Sequence, residues 1–131
     1  MINDFIDHLT AQLSNYKRVQ HAWDTNPFED VDAADMPICL AFVGSEDSER
    51  SNQDSCRTRQ VNNRTLVVFT ICKSDQLDAR RDELLPAALG WQADEKWYPL
   101  QHISGETRKL NGDYIWWVDT FTTWRTISQS S

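Results

Sequence analysis

The sequence predicts an α+β fold, a mostly antiparallel β-sheet with two packed helices in the order α-β-β-β-α-β-β-β. Three observations support this prediction: an apolar stripe at helical spacing opens the chain, a second helical stripe follows its middle, and runs of β-forming residues lie between and after them. The 131 residues are 40% hydrophobic and 25% charged, which is typical of a single globular domain spanning 1–131.

The first helix is predicted at the N-terminus. Its apolar side chains recur every three or four residues, namely Ile2, Phe5, Ile6, Leu9 and Leu13. Asn3 or Asp4 can serve the first turn, and Asn15 ends the helix. A short strand, Tyr16 to Ala22, is predicted to follow directly.

The next segments alternate between polar connections and strands. Residues 24–35 are predicted as a loop or a short helical turn. Pro37 to Val43 is predicted as a strand that Gly44 ends. The segment 45–57 has no apolar residue before Cys56, so we expect it to be an exposed and flexible acidic loop.

A long strand, Thr58 to Lys73, and the second helix are predicted next, and Asn62-Asn63 suggests a bulge or bend in the strand. Ser74 or Asp75 caps a helix that runs from Gln76 to about Leu85. Pro86 is expected to break this helix or to restart it as a first helical residue, and Gly90 to stop it in a left-handed conformation. Its apolar stripe comprises Leu77, Leu84, Leu85, Ala88 and Leu89.

Three strands are predicted to complete the chain: Tyr98 to Ile103, Arg108 to Leu110, and Tyr114 to Trp124, with a tight turn at Asn111-Gly112 before the last. The final strand is apolar on both faces. One face carries Tyr114, Trp116, Val118 and Thr120, and the other carries Ile115, Trp117, Asp119 and Phe121. Such a strand is covered either by helices on both sides or by another protein on one side.

Charge is concentrated in one segment of the chain. The net charge is −7, and residues 24–54 carry Arg50 as their one base. The acids of that segment are Asp24, Glu29, Asp30, Asp32, Asp35, Glu46, Asp47, Glu49 and Asp54. An acidic chain has no electrostatic reason to grip phosphates, so we do not expect specific nucleic-acid binding.

Compartment and cofactor use follow from the remaining composition. Three cysteines without CxxC spacing argue against a disulfide framework and a zinc site. The start of the chain lacks a basic region and no apolar run is long enough to cross a membrane, so we expect the protein to be made in a cytoplasm, without membrane contact. No glycine-rich loop is available to hold a nucleotide, and we expect neither cofactor nor metal.

The sequence contains few residues in the combinations and spacings that catalysis requires. His8, His21 and His102 lack a partner at metal-ligand spacing, and no GxSxG motif occurs. A small hydrolase that uses His21 or His102 would require a pocket joining the histidine to a carboxylate. We therefore expect that the protein is not an enzyme.

A basic run lies beyond the acidic segment and comprises Arg57, Arg59 and Arg64. One interpretation is that these charges protect an exposed strand edge. The other is that they pair with the acids of a neighbouring subunit. Both interpretations remain open from the sequence.

The C-terminal third resembles the tail terminator proteins of tailed bacteriophages, in particular the small Mu-like and Pseudomonas-phage branch. The resemblance is carried by Asp82 to Leu85, Leu89-Gly90-Trp91, Tyr98-Pro99-Leu100, and the strand Asp113 to Phe121, which contains Trp116-Trp117-Val118-Asp119-Thr120. Residues 24–57 carry no motif that places them on the family pattern. The resemblance carries structural motifs and no catalytic residues.

The resemblance implies a virion protein of the tail and neck that is assembled in the host cytoplasm. It implies a homo-hexameric ring on the last ring of the tail tube protein, which ends tube polymerisation and offers a surface to the head–tail connector protein. Genome DNA would pass through without specific binding. We expect an acidic surface facing the lumen or the tube at Glu46, Asp47, Glu49 and Asp54, and subunit contacts at Arg57, Arg59, Arg64, Trp116 and Trp117.

Two alternative functions accompany this interpretation. An acidic binding or inhibitor module could mimic nucleic acid with residues 24–54, and its mass in solution would distinguish it from a ring. Another neck or tail-completion protein of similar fold would share most of the same sequence features.

Overall fold

The structure, a computed structural model, describes residues 1–22, 33–50 and 58–129. The elements are α1 (Ile2–Gln12), β1 (Arg18–His21), β2 (Ile38–Ser48), β3 (Arg59–Lys73), α2 (Leu77–Ala88), β4 (Gln101–Asn111) and β5 (Tyr114–Ser128), with 3-10 turns at Ala33–Asp35 and Ser74–Gln76. The strands form one sheet in the order β1-β2-β3-β5-β4. β1 pairs with β2 in parallel, and the other neighbours are antiparallel, which confirms the α+β prediction.

The main core lies between the two helices and one face of the sheet. In α1, Phe5 and Leu9 are four residues apart and therefore share a face, and both are fully buried. The other buried members are Leu13, Tyr16, Cys39, Ala41, Leu66, Val68, Leu84, Ala88, Leu100 and Phe121. We call this side of the sheet the helix face.

A second apolar cluster lies on the opposite side, which we call the helix-free face. Its buried members are Ile38, Leu40, Phe69, Ile71, Trp116 and Val118. Ala22 and Met36, from the two ends of the connection between β1 and β2, pack against it. β5 is thus central, between β3 and β4, and contributes apolar side chains to both faces as its sequence predicts.

Strand β2 is longer than predicted. Gly44 does not end it; the strand continues to Ser48 after a bulge between Val43 and Ser45. A Cβ at Gly44 would lie 2.6 Å from a methyl carbon of Val67, so a glycine is required inside the strand. The bulge therefore falls on β2, and pairing is regular through Asn62-Asn63, where it was expected.

The expected flexible loop is accordingly shorter at its N-terminal end, because residues 45–48 are β-strand. Residues 51–57 lie outside the described part of the chain, and flexibility there stays a prediction. Of the predicted connection 24–35, the described residues are those of the 3-10 turn Ala33–Asp35.

Helix α2 does not break at Pro86, contrary to expectation, but continues to Ala88. Proline lacks the N–H that would bond the carbonyl of Asp82, and both residues are exposed, so solvent can satisfy that carbonyl. Gly90 follows with φ of +81°, which confirms the left-handed stop.

The C-terminal hairpin is simpler than predicted. The segments Tyr98 to Ile103 and Arg108 to Leu110 belong largely to one strand, β4, which runs through Gly105. Its pairing with β5 shifts at two bulges, between His102 and Ser104 and between Thr107 and Lys109. Gly112 has φ of +62°, as expected of the tight turn that leads into β5.

Candidate functional site

The predicted acidic surface is built on a strand. Glu46 and Asp47 lie near the end of β2 and Glu49 follows it, and all three are exposed. Glu46 pairs with Arg64 of β3 and Asp47 with Asn63, so the two acids point to opposite faces of the sheet. Asp54, the fourth predicted acid, lies outside the described residues.

The guanidinium of Arg64 makes contacts within its own chain. Its Nη2 donates to Glu46 Oε1 at 2.7 Å, and its guanidinium lies 4.7 Å from the ring centre of Trp97. Arg59 begins β3 opposite Ser128 and is exposed. Arg57 lies outside the described residues. Of the predicted basic contacts, Arg59 is therefore the one that the structure presents on the surface.

Trp97 is held between two guanidinium groups. Arg64 and Arg125 lie 4.7 and 4.6 Å from its ring centre, and the indole is 6% exposed. Arg125 Nε also donates to Asn62 Oδ1 at 3.3 Å. Sequence reasoning missed this arrangement because its members come from β3, β5 and the segment before β4, and no local pattern connects them.

The two adjacent tryptophans point to opposite faces of the sheet. Trp116 is 4% exposed within the helix-free cluster, and Lys109 Nζ lies 4.8 Å from its ring centre. Trp117 is half-buried on the helix face, where the guanidinium of Arg81 lies 4.8 Å from its ring centre. Its buried Nε1 has no hydrogen-bond partner among the described residues. Both indoles therefore have extensive contacts within their own chain.

A buried carboxylate joins α2 to both C-terminal strands. Asp119 is fully buried; its Oδ1 accepts from Arg81 Nη2 and from His102 Nε2, each at 2.9 Å, and its Oδ2 accepts from Arg81 Nε at 3.3 Å. The hydrogen bond to Asp119 raises the pKa of Arg81 above its ordinary value. The charge of the carboxylate is thus compensated where water does not reach it.

Gly105 of β4 makes room for this cluster. A Cβ there would lie 2.8 Å from Asp119 Oδ1, 2.8 Å from Trp117 Cζ2 and 3.1 Å from Arg81 Nη2. The sequence contained the signal of an apolar-flanked aspartate in a central strand, but not the identity of its partners.

The contact between His102 and Asp119 meets one condition of the hydrolase alternative, since it joins a histidine to a carboxylate. A nucleophile would also have to approach the imidazole. Ser104 pairs with Thr120 on the helix-free face, away from His102, which lies on the helix face above Phe121. The cluster is best explained as a structural link between α2, β4 and β5.

Strand β4 is an exposed edge that the sequence did not reveal as such. Every one of its residues is exposed, including the apolar Ile103 at 55% and Leu110 at 66%. At the opposite edge of the sheet, the short strand β1 pairs with β2 over the residues Ile38 to Ala41 alone. In the part of the chain that the structure describes, β2 beyond Ala41 therefore has a strand neighbour on one side, β3.

The part of the chain that the structure describes holds neither a candidate metal cluster nor a candidate membrane-spanning helix. Among the described residues, no three His, Cys, Asp or Glu side chains gather closely enough to hold a metal ion. Neither helix within 1–22, 33–50 and 58–129 has the length and apolar character that a membrane crossing requires.

The comparison with protein families decides the assignment. A family model described as phage tail terminator protein matches residues 2–130. The chain belongs to this family. The match confirms the resemblance recognised in the C-terminal third and extends it over residues 24–57, which the sequence motifs did not place.

Membership in the phage tail terminator family gives the protein a structural or assembly role in the phage tail, a location in the virion tail, and association with other tail components. The family is structural and is not a known enzyme family. A search of curated proteins finds no match to the chain.

Proposed function

We propose that the protein caps the tail tube as a homo-hexameric ring, ends polymerisation of the tail tube protein and joins the tail to the head–tail connector protein. The observation that carries this proposal is the family match over residues 2–130, nearly the whole chain. A protein that ends a polymer must bind the last ring of subunits and prevent the addition of another ring. The protein therefore needs surfaces for a tube, for a connector and for its own copies.

The shape of the sheet supports a repeating contact. The two edges of the sheet differ. One edge is the long strand β4, and the other is β2, which is partly covered by the short strand β1. A contact between different surfaces of identical subunits propagates, and closes into a ring if the rotation between subunits allows.

The acidic end of β2 fits the passage of DNA. Glu46, Asp47 and Glu49 are exposed on the described part of the chain, and repetition around a ring would multiply their charge. A negative surface repels phosphates, so the genome would pass without adhering. The competing placement is against the tube. An assembled ring with these acids on its outer rim would contradict the lumen placement.

The contacts between subunits include, in this proposal, the basic residues Arg57, Arg59 and Arg64 and the indoles of Trp116 and Trp117. Arg59 is best placed for a direct contact because it is exposed at the start of β3. Arg64 and the two tryptophans contribute indirectly in this proposal: their contacts within the chain hold in place the strands that carry the contact surface.

The test is electron microscopy of tails made by phage that lack this protein, with and without the protein supplied from a plasmid. Termination predicts tubes of uncontrolled length that fail to join heads, and restoration of normal length by the supplied protein. Tails of normal length without the protein would refute termination. Tails of normal length that fail to join heads would instead assign the protein to another step of neck completion.

A further inference from the structure

We propose that, in the ring of the proposed function, the outer edge of β4 in one copy pairs with the outer edge of β2 in the next copy, with Arg108 beside Asp47. The inference rests on the proposed ring and names the surface that builds it. The partner is a second copy of this chain.

Both edges are open to a further strand. β4 is the terminal strand of the sheet, and all of its residues are exposed. Residues 42–48 of β2 extend beyond the four-residue β1, so within the described chain their outer backbone groups have no strand to pair with. An unpaired strand edge is a template for pairing with another chain.

The direction of the strands suits such a contact. β4 and β3 are both antiparallel to β5, and β3 is antiparallel to β2, so β4 and β2 run in opposite directions in one sheet. A neighbouring copy placed beside the first, with its helices on the same face, therefore brings β2 antiparallel to β4. This is the pairing that the rest of the sheet uses, and it repeats from copy to copy.

Opposite charges lie on the same face of the two edges, Asp47 on β2 and both Arg108 and Lys109 on β4, where Glu106 is the one acid of the strand. Asp47 lies opposite Asn63, which alternation places on the helix-free face. Arg108 lines a groove of that face together with Phe42 and Val118, and Lys109 lies over Trp116 there. Opposite charges across adjacent strands stabilise a sheet, and like charges destabilise it.

Arg108 is able to change its partner. Its ion pair with Glu106 spans 3.6 Å, and both side chains are more than half exposed. An exposed pair of this kind contributes little to stability. Asp47 Oδ1 accepts a long hydrogen bond, 3.4 Å, from Asn63 Nδ2. Neither contact has to be broken at large cost when the edges meet.

The short strand β1 sets the register. It occupies the outer side of β2 from Ile38 to Ala41, so an incoming β4 has to pair beyond that point. With Asp47 opposite Arg108, the end of β2 that follows the bulge at Gly44 faces the C-terminal half of β4, where the bulge at Arg108 places Arg108 and Lys109 on the same face. β2 ends at Ser48, which leaves Glu49 outside the paired strands. Each copy is thereby displaced along the strand direction relative to its neighbour.

Cross-linking tests the pairing directly. Opposed Cα atoms in antiparallel strands are about 4.5–5.5 Å apart, within the range that a disulfide spans. Phage carrying Asp47→Cys with Arg108→Cys, in a Cys56→Ser background, would be oxidised and their isolated tails analysed by non-reducing electrophoresis. Cys39 and Cys72 are buried and stay in place. The matched control replaces Arg108→Cys with Lys96→Cys, an exposed position outside the sheet.

Head-to-tail pairing predicts a ladder of disulfide-linked species larger than a dimer, absent from the control. Dimers alone would overturn the proposal, because a head-to-tail contact links every copy through both of its edges. Tails that contain the protein but yield no linked species would overturn it as well. The plasmid experiment on tube length is independent: lost length control without cross-links refutes edge pairing and leaves termination standing.

A charge exchange gives a second measurement without cysteines. Arg108→Asp places an acid beside Asp47 and is expected to weaken each subunit contact about tenfold. Asp47→Arg added to it restores the opposite pair and should recover most of the loss, measured as the fraction of tails that retain the protein. Two additive defects with no recovery would contradict the predicted register.

Discussion

Replacement of Asp119 by asparagine tests whether the buried carboxylate stabilises the fold. The side chain keeps its shape, but one of its oxygens becomes an amide donor. The carboxylate now accepts three hydrogen bonds, two from Arg81 and one from His102. Since Arg81 donates to both oxygens, the new NH₂ group must face a donor at either position.

The expected cost follows from burial. Removal of one partner of a fully buried ion pair costs about 3–5 kcal/mol, because the remaining charge lacks compensation. The side chain of Arg81 is 23% exposed, so water can solvate part of the guanidinium, and the lower end of the range applies. We expect Asp119→Asn to reduce the free energy of unfolding by about 3 kcal/mol and the melting temperature by about 10 °C.

Urea unfolding followed by tryptophan fluorescence measures this change at neutral pH. Asp82→Asn is the matched control, since Asp82 lies exposed on the same helix as Arg81 and its change should stay within about 0.5 kcal/mol. Combination with Arg81→Gln in a double-mutant cycle isolates the pair. Loss of less than about 1 kcal/mol in Asp119→Asn would refute the argument from burial.

Three further predictions concern stability. Gly105→Ala forces a Cβ to within 2.8 Å of the buried carboxylate and the indole beside it and should cost about 2 kcal/mol in urea, whereas Ser104→Ala next to it should be nearly neutral. Trp116→Ala should lower the free energy of unfolding by about 3–5 kcal/mol, so that the near-ultraviolet circular dichroism of the fold is lost at a lower temperature than in the unaltered protein. An unchanged unfolding midpoint would show that the indole is not part of the core. Burial raises the pKa of Cys39 to about 12 and that of Cys72 to about 11, above the ordinary 9.0, so the native state keeps protons that the unfolded chain releases. The contribution of these two buried thiols to the free energy of unfolding is therefore complete below pH 9 and is lost as the pH rises toward 11–12. A free energy of unfolding that stays constant from pH 8 to 10.5 would contradict this prediction.

Local patterns were sufficient to predict both helices and most strands. The stripe of α1 and the β-forming run of β5 each carry their periodicity within a dozen residues, and tertiary contacts follow that pattern. Strand ends were predicted less well. Glu46 and Asp47 look like loop residues, but they continue β2 because β3 extends far enough to pair with them.

The candidate site was harder to predict because it depends on topology. Asp119, Arg81 and His102 are distant in sequence and meet only where α2 crosses the hairpin of β4 and β5. The exposure of β4 follows from strand order, which its composition of polar and apolar residues does not encode. Charge counting did locate Glu46, Asp47 and Glu49 on the surface, because net charge requires no knowledge of contacts.

The position of β5 has a consequence for synthesis of the protein. The last strand of the chain is inserted between β3 and β4, both of which precede it in sequence. During translation, β3 can pair with β2, but its other edge stays unpaired until β5 has left the ribosome. A chain truncated before Tyr114 would lose the middle of its sheet and leave that edge open to other nascent chains.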